Sequence, residues 1–402
     1  MCYPLIFLAF LLNGIIMMII SVFKRTLLGG LIALSSTVFA NTGINPPVLD
    51  NAAYILMDYD TGTILAQNNA DTPLPPASLT KMMTSYILEQ RLMTGELAED
   101  TPIKMNESAW CRGSSTQSCM YVPLNESASA IDMLRGIIIQ SGNDASKAVA
   151  EHLSGSESAF AALMNDEAKK LGMTNTHFEN ATGMPSPSHR ASAKDLAVLS
   201  RAIIKNGGQY YKIYSEKEFT YHNIKQANRN ALLFTDPTVD GLKTGHTEEA
   251  GYSLAASALR DDMRLIAVVM GTKSMQARAD QTRELLNFGF GHFENIVIAP
   301  KAQGIGDVAV KFGQAKTVKT EVADTLKVLA IKNQKPTISN VVKYNDNIAA
   351  PIKKGQEVGQ LLAVVNGQAV ASVPVIATED VEQAGFLGRM WESLSDWVKS
   401  LF

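Results

Sequence analysis

Charge is scarce in this chain. Charged residues make up 19% of its 402 positions, the formal net charge is −3, and acids and bases are mixed rather than blocked. Without a basic patch there is no electrostatic footprint for nucleic acid, which is excluded as a partner. Histidines number six, and no two are spaced as metal ligands, so neither a metal nor another cofactor is expected. Cysteines number three. What is plentiful is apolar residues, 46%, a globular composition. The length is too great for most single cores and suggests two folded units with appendages.

The first forty residues contain no acid. Lys24 and Arg25 are followed by TLLGGLIALSSTVFA, ending at Ala40, the basic region, apolar region and small-residue cleavage site of a signal peptide over 1–40. The apolar run before Lys24 is not needed by such a signal; either translation begins at Met17 or Met18, or the run is an extra membrane segment. Export removes Cys2 and leaves Cys111 and Cys119, an even pair that is a candidate disulfide in an oxidising compartment.

AAYILMDYDTGTIL, residues 52–65, reads as a hairpin around Asp60-Thr61-Gly62. From Pro75 the spacing becomes helical, with Leu79, Met82, Met83, Tyr86 and Ile87 on one face and Gly95 as a stop, so Ser78 is expected in a first helical turn. Further helices are expected at 130–139, 143–153, 157–171 and 193–205, then two strands within 251–270 joined at Arg260-Asp261-Asp262, and a helix over QTRELLNFGFGHF. Near residue 296 the composition shifts to short alternating runs, with Asn366-Gly367 as a hairpin turn. The tail from Gly385 places Phe386, Leu387, Met390, Trp391, Leu394 and Trp397 on one helical face and charges on the other, as in a helix lying in a membrane interface.

Three short motifs could carry chemistry. Ser78-Leu79-Thr80-Lys81 is an SxxK match, yet Ser21-Val22-Phe23-Lys24 is another, so this spacing alone means little. On a helix, residues three apart share a face, so the Lys81 amine can reach the Ser78 hydroxyl. A serine needs a base, and a lysine is one only when neutral, a state favoured by burial and a second cation. Lys243-Thr244-Gly245, just before a strand, offers that cation and a glycine that lets a substrate backbone approach; a plain turn is the alternative. Ser141-Gly142-Asn143 stands where a helix begins and, by itself, reads as an N-cap.

In the order SxxK, SxN, KTG, the three motifs resemble those of penicillin-binding proteins. Together with QSGNDAS, NTHFEN, AKDLAVLSRAII, NRNALL and GLKTGHT, the chain from about Pro47 to its end resembles the type-5 low-molecular-mass group, the serine D-alanyl-D-alanine carboxypeptidases. The resemblance implies an α+β, β-lactamase/transpeptidase-like domain over 41–296, an antiparallel sheet flanked by helices with a helical insert. It implies a small all-β domain over 297–383 and an amphipathic anchoring helix over 384–402. Ser78 would be the acylated nucleophile, Lys81 the proton acceptor and Ser141 the proton relay. Asn143, Arg229, Lys243, Thr244, Gly245 and the His246 backbone would bind substrate. The implied partners are peptidoglycan stem peptides ending in D-Ala-D-Ala, β-lactams as covalent inhibitors, and the periplasmic face of the bacterial inner membrane.

The stretch 109-AWCRGSSTQSCMYV-122 departs from that pattern by being short and carrying the cysteine pair, which puts the deacylation rate in question. A β-lactamase needs a glutamate to activate water, and only Glu179 stands in 172–192. A non-catalytic penicillin-binding sensor that stays acylated is the third reading.

Overall fold

The computed structural model describes residues 44–112, 117–334 and 336–391. The expected signal segment and residues 392–402 of the expected terminal helix lie outside them. The chain enters as strand β1 (Ala53–Asp58), turns at Thr61-Gly62, and returns as β2 (Ile64–Asn68). Helix α1 (Lys81–Thr94) stops at Gly95, whose φ of 74° is the left-handed conformation that closes a helix without a Cβ clash. A small hairpin, β3 (Pro102–Lys104) with β4 (Ser127–Ser129), precedes α2 (Ala130–Ile138), α3 (Asn143–Ser154), α4 (Glu157–Leu171) and α5 (Ala193–Asn206). A second hairpin, β5 (Glu218–Tyr221) with β6 (Ile224–Ala227), and a single turn α6 (Leu232–Thr235) lead to β7 (Val239–Thr247), β8 (Gly251–Arg260), β9 (Met263–Thr272) and α7 (Met275–His292).

Serines open four of these helices. Ser129, Ser156, Ser192 and Ser274 each accept from the N–H three residues on, satisfying one of the donors a helix start leaves free.

The main sheet is antiparallel in the order β2-β1-β9-β8-β7. All six residues of β1 are buried, so both faces of the sheet are covered at its centre. Alternation divides them: Ala53, Ile55 and Met57 join the core formed with α1 and α5, whereas Leu56 lies with Leu265 against Gly289 of α7. The helical run α2–α5 enters between β2 and β7, as an insert into the sheet. The architecture is the sheet flanked by helices that the sequence implied.

Beyond α7 the strands shorten: β10 (Phe293–Ala299), β11 (Gly304–Ala309), β12 (Thr317–Val322), β13 (Leu326–Ile331), β14 (Ile338–Tyr344), β15 (Glu357–Val365) and β16 (Gln368–Ala377). β10 pairs with β13, and the rest form a sheet in the order β11-β12-β16-β15-β14 around Val318, Leu326, Val358, Leu361 and Val375. Asn366 and Gly367, at φ 50° and 82°, make the β15–β16 turn. This sheet region is fastened to the β1–β2 turn: Lys327 Nζ lies 2.9 Å from Asp60, and Asn295 Nδ2 donates to Asp58 at 2.9 Å. Residues 386–391 are helical, and Phe386, Leu387, Met390 and Trp391 are exposed. Among the described residues no helix is long and apolar enough to cross a membrane.

Candidate active site

Pro75 and Pro76 do not start an α-helix directly. One 3₁₀ turn, Ala77–Thr80, comes first, and the α-helix begins at Lys81. Ser78 therefore sits one turn ahead of the expected place. In a 3₁₀ turn residues three apart eclipse one another, which suits SxxK better than the α-helix the sequence suggested. Lys81 Nζ lies 3.0 Å from Ser78 Oγ and donates to the Thr182 carbonyl at 2.6 Å. Lys81 is fully buried; that burial first, and the Arg229 guanidinium second, lower its pKa to about 7.

Ser141 occupies the link between α2 and α3 with φ 59°, a conformation costly for a residue with a side chain. Its Oγ lies 2.9 Å from Lys243 Nζ. The cap of α3 is Gly142, without a side-chain bond, so neither Ser141 nor Asn143 is spent on capping. Asn143 N–H donates to the Ser118 carbonyl at 2.7 Å, and its Nδ2 approaches Gln117 Oε1 at 3.4 Å.

Lys243-Thr244-Gly245 is not a turn before a strand; it is the middle of β7, the edge of the main sheet. Lys243 is buried, and burial first, then the charges of Lys81, Arg229 and Arg278, hold its amine well below the ordinary lysine range. Cations beside Lys81 thus include Arg229, and Lys81 and Lys243 also act on each other, but burial outweighs these charges. Gly245 also has a duty that the sequence did not suggest. A Cβ there would stand 2.9 Å from the Pro76 carbonyl oxygen and 3.2 Å from Leu79 N, so the missing side chain lets the Ser78 turn lie against β7.

These residues meet at a cleft of 540 Å³ that Ser78, Ser141, Arg229, Thr244, Gly245 and His246 line together. Lys81 and Lys243 stand behind it, bonded to the two serines. The His246 ring stacks on Tyr252 at 3.8 Å, and Arg229 donates to Ser118 Oγ at 2.7 Å. Ser118, Tyr252 and Arg278 line the same cleft and were not anticipated. Arg278 is buried, which lowers its pKa to about 10. It stands in α7 among other charged residues, where nothing in the sequence separates it from a surface arginine.

Cys111 and Cys119 form a disulfide. The segment after it is bound from several sides: Met120 N–H and Tyr121 N–H donate to the Asp144 carboxylate at 2.8 and 2.7 Å, and Gln226 Nε2 donates to the Cys119 carbonyl at 2.9 Å. Closing this short loop restricts the unfolded chain by about 2.5 kcal/mol in the loop-entropy model. Reduction, or Cys111→Ser with Cys119→Ser, is therefore expected to lower the thermal midpoint by several degrees. Melting curves with and without reductant measure this, and two free thiols in the unreduced protein would exclude the bond.

Comparison with known proteins finds a family model described as D-alanyl-D-alanine carboxypeptidase matching residues 40–274, and one for the C-terminal domain of penicillin-binding protein 5 matching 293–383. The chain is 40% identical over 364 residues to the D-alanyl-D-alanine carboxypeptidase DacA of Haemophilus influenzae, covering 90% of this chain and 92% of that one. It is 39% identical over 395 residues to DacC of Escherichia coli, covering 94% and 98%. The crystal structure of penicillin-binding protein 5 from Haemophilus influenzae superposes with a TM-score of 0.71 at 38% identity, covering 85% of this chain and 100% of that one.

Proposed function

This chain belongs to the D-alanyl-D-alanine carboxypeptidase family, and from that premise we propose how its own residues remove the terminal D-alanine from peptidoglycan stem peptides and react with penicillins. The observation that carries the reading is the approach of Ser78 Oγ to a buried amine that is half neutral near pH 7, at the floor of an open cleft.

Neutral Lys81 takes the Ser78 proton as Oγ attacks the carbonyl between the two D-alanines. The developing oxyanion is held by the backbone N–H groups of Ser78 and His246, each worth roughly 3–4 kcal/mol. Arg229, Lys243 and Thr244 receive the terminal carboxylate, and Asn143 holds the substrate amide. Ser141, bonded to Lys243, relays to the leaving nitrogen the proton that Lys81 took up, so the C–N bond breaks, free D-alanine departs and Lys81 is neutral again. Water then attacks the acyl ester, Lys81 serving again as base, and Ser78 is restored. In the same way Ser78 opens a β-lactam ring to form a penicilloyl ester.

The test is to incubate the mature protein with a D-Ala-D-Ala peptide and, separately, with penicillin, following free D-alanine and intact mass. Catalytic D-alanine release and a slowly lost adduct mapping to Ser78 are expected. Rapid penicillin turnover would instead indicate a β-lactamase, and a permanent adduct without peptide turnover a sensor. Against the β-lactamase, Glu179 is not among the residues lining the cleft.

The family's place of work implies export to the periplasmic face of the inner membrane. Exposed Phe386, Leu387, Met390 and Trp391 at the start of the terminal helix support a membrane-lying anchor there. The domain division follows: 41–296 as the catalytic domain, 297–383 as a β-rich spacer or partner-binding domain, and 384–402 as the anchor.

A further inference from the structure

Behind the Ser78 turn lies a buried histidine for which the reaction above has no use. His189 is 2% exposed, and its ring meets Phe178 edge-on at 5.8 Å. Both ring nitrogens are engaged. The Glu179 backbone N–H donates to Nδ1 at 2.9 Å, and Nε2 lies 2.7 Å from Thr80 Oγ1. A backbone N–H can only donate, so Nδ1 must accept, and the neutral ring carries its proton on Nε2, where it donates to the threonine hydroxyl. An imidazolium would set a second proton against the Glu179 N–H. Burial, with the charges of His177, Arg190 and Lys81, also opposes that form and lowers the pKa to about 4.

The two partners belong to the two halves of the nucleophile's support. Thr80 ends the 3₁₀ turn that carries Ser78. Glu179 begins the loop 179–184, whose Thr182 carbonyl receives Lys81 Nζ at 2.6 Å and whose Ala181 carbonyl receives Thr84 Oγ1 at 2.7 Å. Besides Lys81 itself, which bonds Ser78 Oγ and the Thr182 carbonyl, the imidazole bonds both the serine's turn and the lysine's loop, and its two ring nitrogens span the gap between them.

We propose that His189, as the Nε2–H tautomer, is a positioning residue that sets the approach of Ser78 Oγ to Lys81 Nζ by holding Thr80 against the 179–184 loop. This rests on the reading of Ser78 and Lys81 as nucleophile and base.

Two amide substitutions separate positioning from mere packing. In His189→Gln the amide nitrogen reaches the place of Nε2 and retains the donor to Thr80. In His189→Asn the amide oxygen reaches the place of Nδ1 and retains the acceptor for Glu179 N–H. Each loses one buried hydrogen bond, so similar losses of thermal stability are expected. Each variant also cuts one arm of the bridge, so at a temperature well below either melting point the second-order rate of acylation by penicillin is expected to fall about 10- to 100-fold in both. A rate within about threefold of the parent in either folded variant would overturn the proposal. The parent gives an independent reading through ¹⁵N spectra of histidine-labelled protein, with the His189 signals assigned by their disappearance in His189→Gln. An acceptor-type Nδ1 shift from pH 8 down to pH 5 is expected, and a proton on Nδ1 would overturn the assignment. If Ser78→Ala still formed a penicilloyl adduct, the fault would lie in the nucleophile itself, and the positioning role would fall with it.

Discussion

Lys81→Met is expected to slow acylation by penicillin about 10³-fold while giving a protein that melts at a higher temperature than its parent. The loss follows from removing the base, since positioned proton transfer contributes about 10²- to 10⁴-fold. The gain follows from linkage. The Lys81 pKa falls from an ordinary 10.5 to about 7 on folding, so between those pH values the unfolded chain binds a proton that the native protein does not. Stability contributed by this residue therefore rises with pH across that window, and the full penalty of a buried ammonium is in force below it. At pH 7 the penalty is roughly 4–5 kcal/mol. Methionine has a similar shape and no charge, but leaves the Thr182 carbonyl without its donor, at a cost of about 1–3 kcal/mol. A net gain on the order of 2 kcal/mol remains. Paired melting curves and penicillin-binding rates at pH 7 check both halves, and a lower melting point would show that Lys81 is not held under desolvation strain. In the parent, the acylation rate is expected to climb as pH rises through about 7, the range in which Lys81 loses its proton.

Gly183→Ala is expected to cost about 3 kcal/mol or more of stability and to reduce acylation about 100-fold. The residue stands at φ 85°, and a Cβ there would lie 1.8 Å from the carbonyl oxygen of Ala77, the residue before Ser78. Backbone faces backbone at this contact, so no side chain can swing aside; the loop must retreat and take the Thr182 carbonyl away from Lys81, or the Ser78 turn must shift. Gly172→Ala supplies the control. Its φ of 77° is equally unfavourable, but a Cβ would meet nothing within 4 Å. It should cost about 1–2 kcal/mol and leave acylation unchanged. Chemical denaturation and a labelled-penicillin rate assay measure the two variants, and unchanged acylation in Gly183→Ala would break the link between loop and turn.

The sequence made the elements legible wherever a local period reported them. Apolar residues three and four apart marked α2 to α5 nearly to their ends, and Asn366-Gly367 marked a turn that only positive φ angles can make. The site was legible as three motifs in order, and the structure gathers those motifs at one cleft. What the sequence hid depends on contacts made across distant parts of the chain. Gly245 looked only like a place for a substrate backbone to approach, because the turn it accommodates lies more than 160 residues earlier. The Thr182 carbonyl is a backbone group in a loop, and no residue type announces it. His189 looked unremarkable because the tautomer that gives it meaning is imposed by Glu179 and Thr80 together.

The placing of β1 between β2 and β9 bears on the order in which the molecule can form. Strand β1 is among the first residues of the folded part to leave the ribosome, yet one of its two neighbours ends at Thr272, after the segments bearing Ser78, Ser141 and Lys243 have all been made. Helical pairs within the insert can close early, because their contacts are local and loop closure between them costs little. The sheet cannot, and β7, which brings Lys243 to Ser141, joins the sheet through β8 and, beyond it, β9. Joining of Lys243 to Ser141 therefore waits on strands made after all three motifs. A chain interrupted before β9 is expected to carry those motifs and form no penicilloyl adduct.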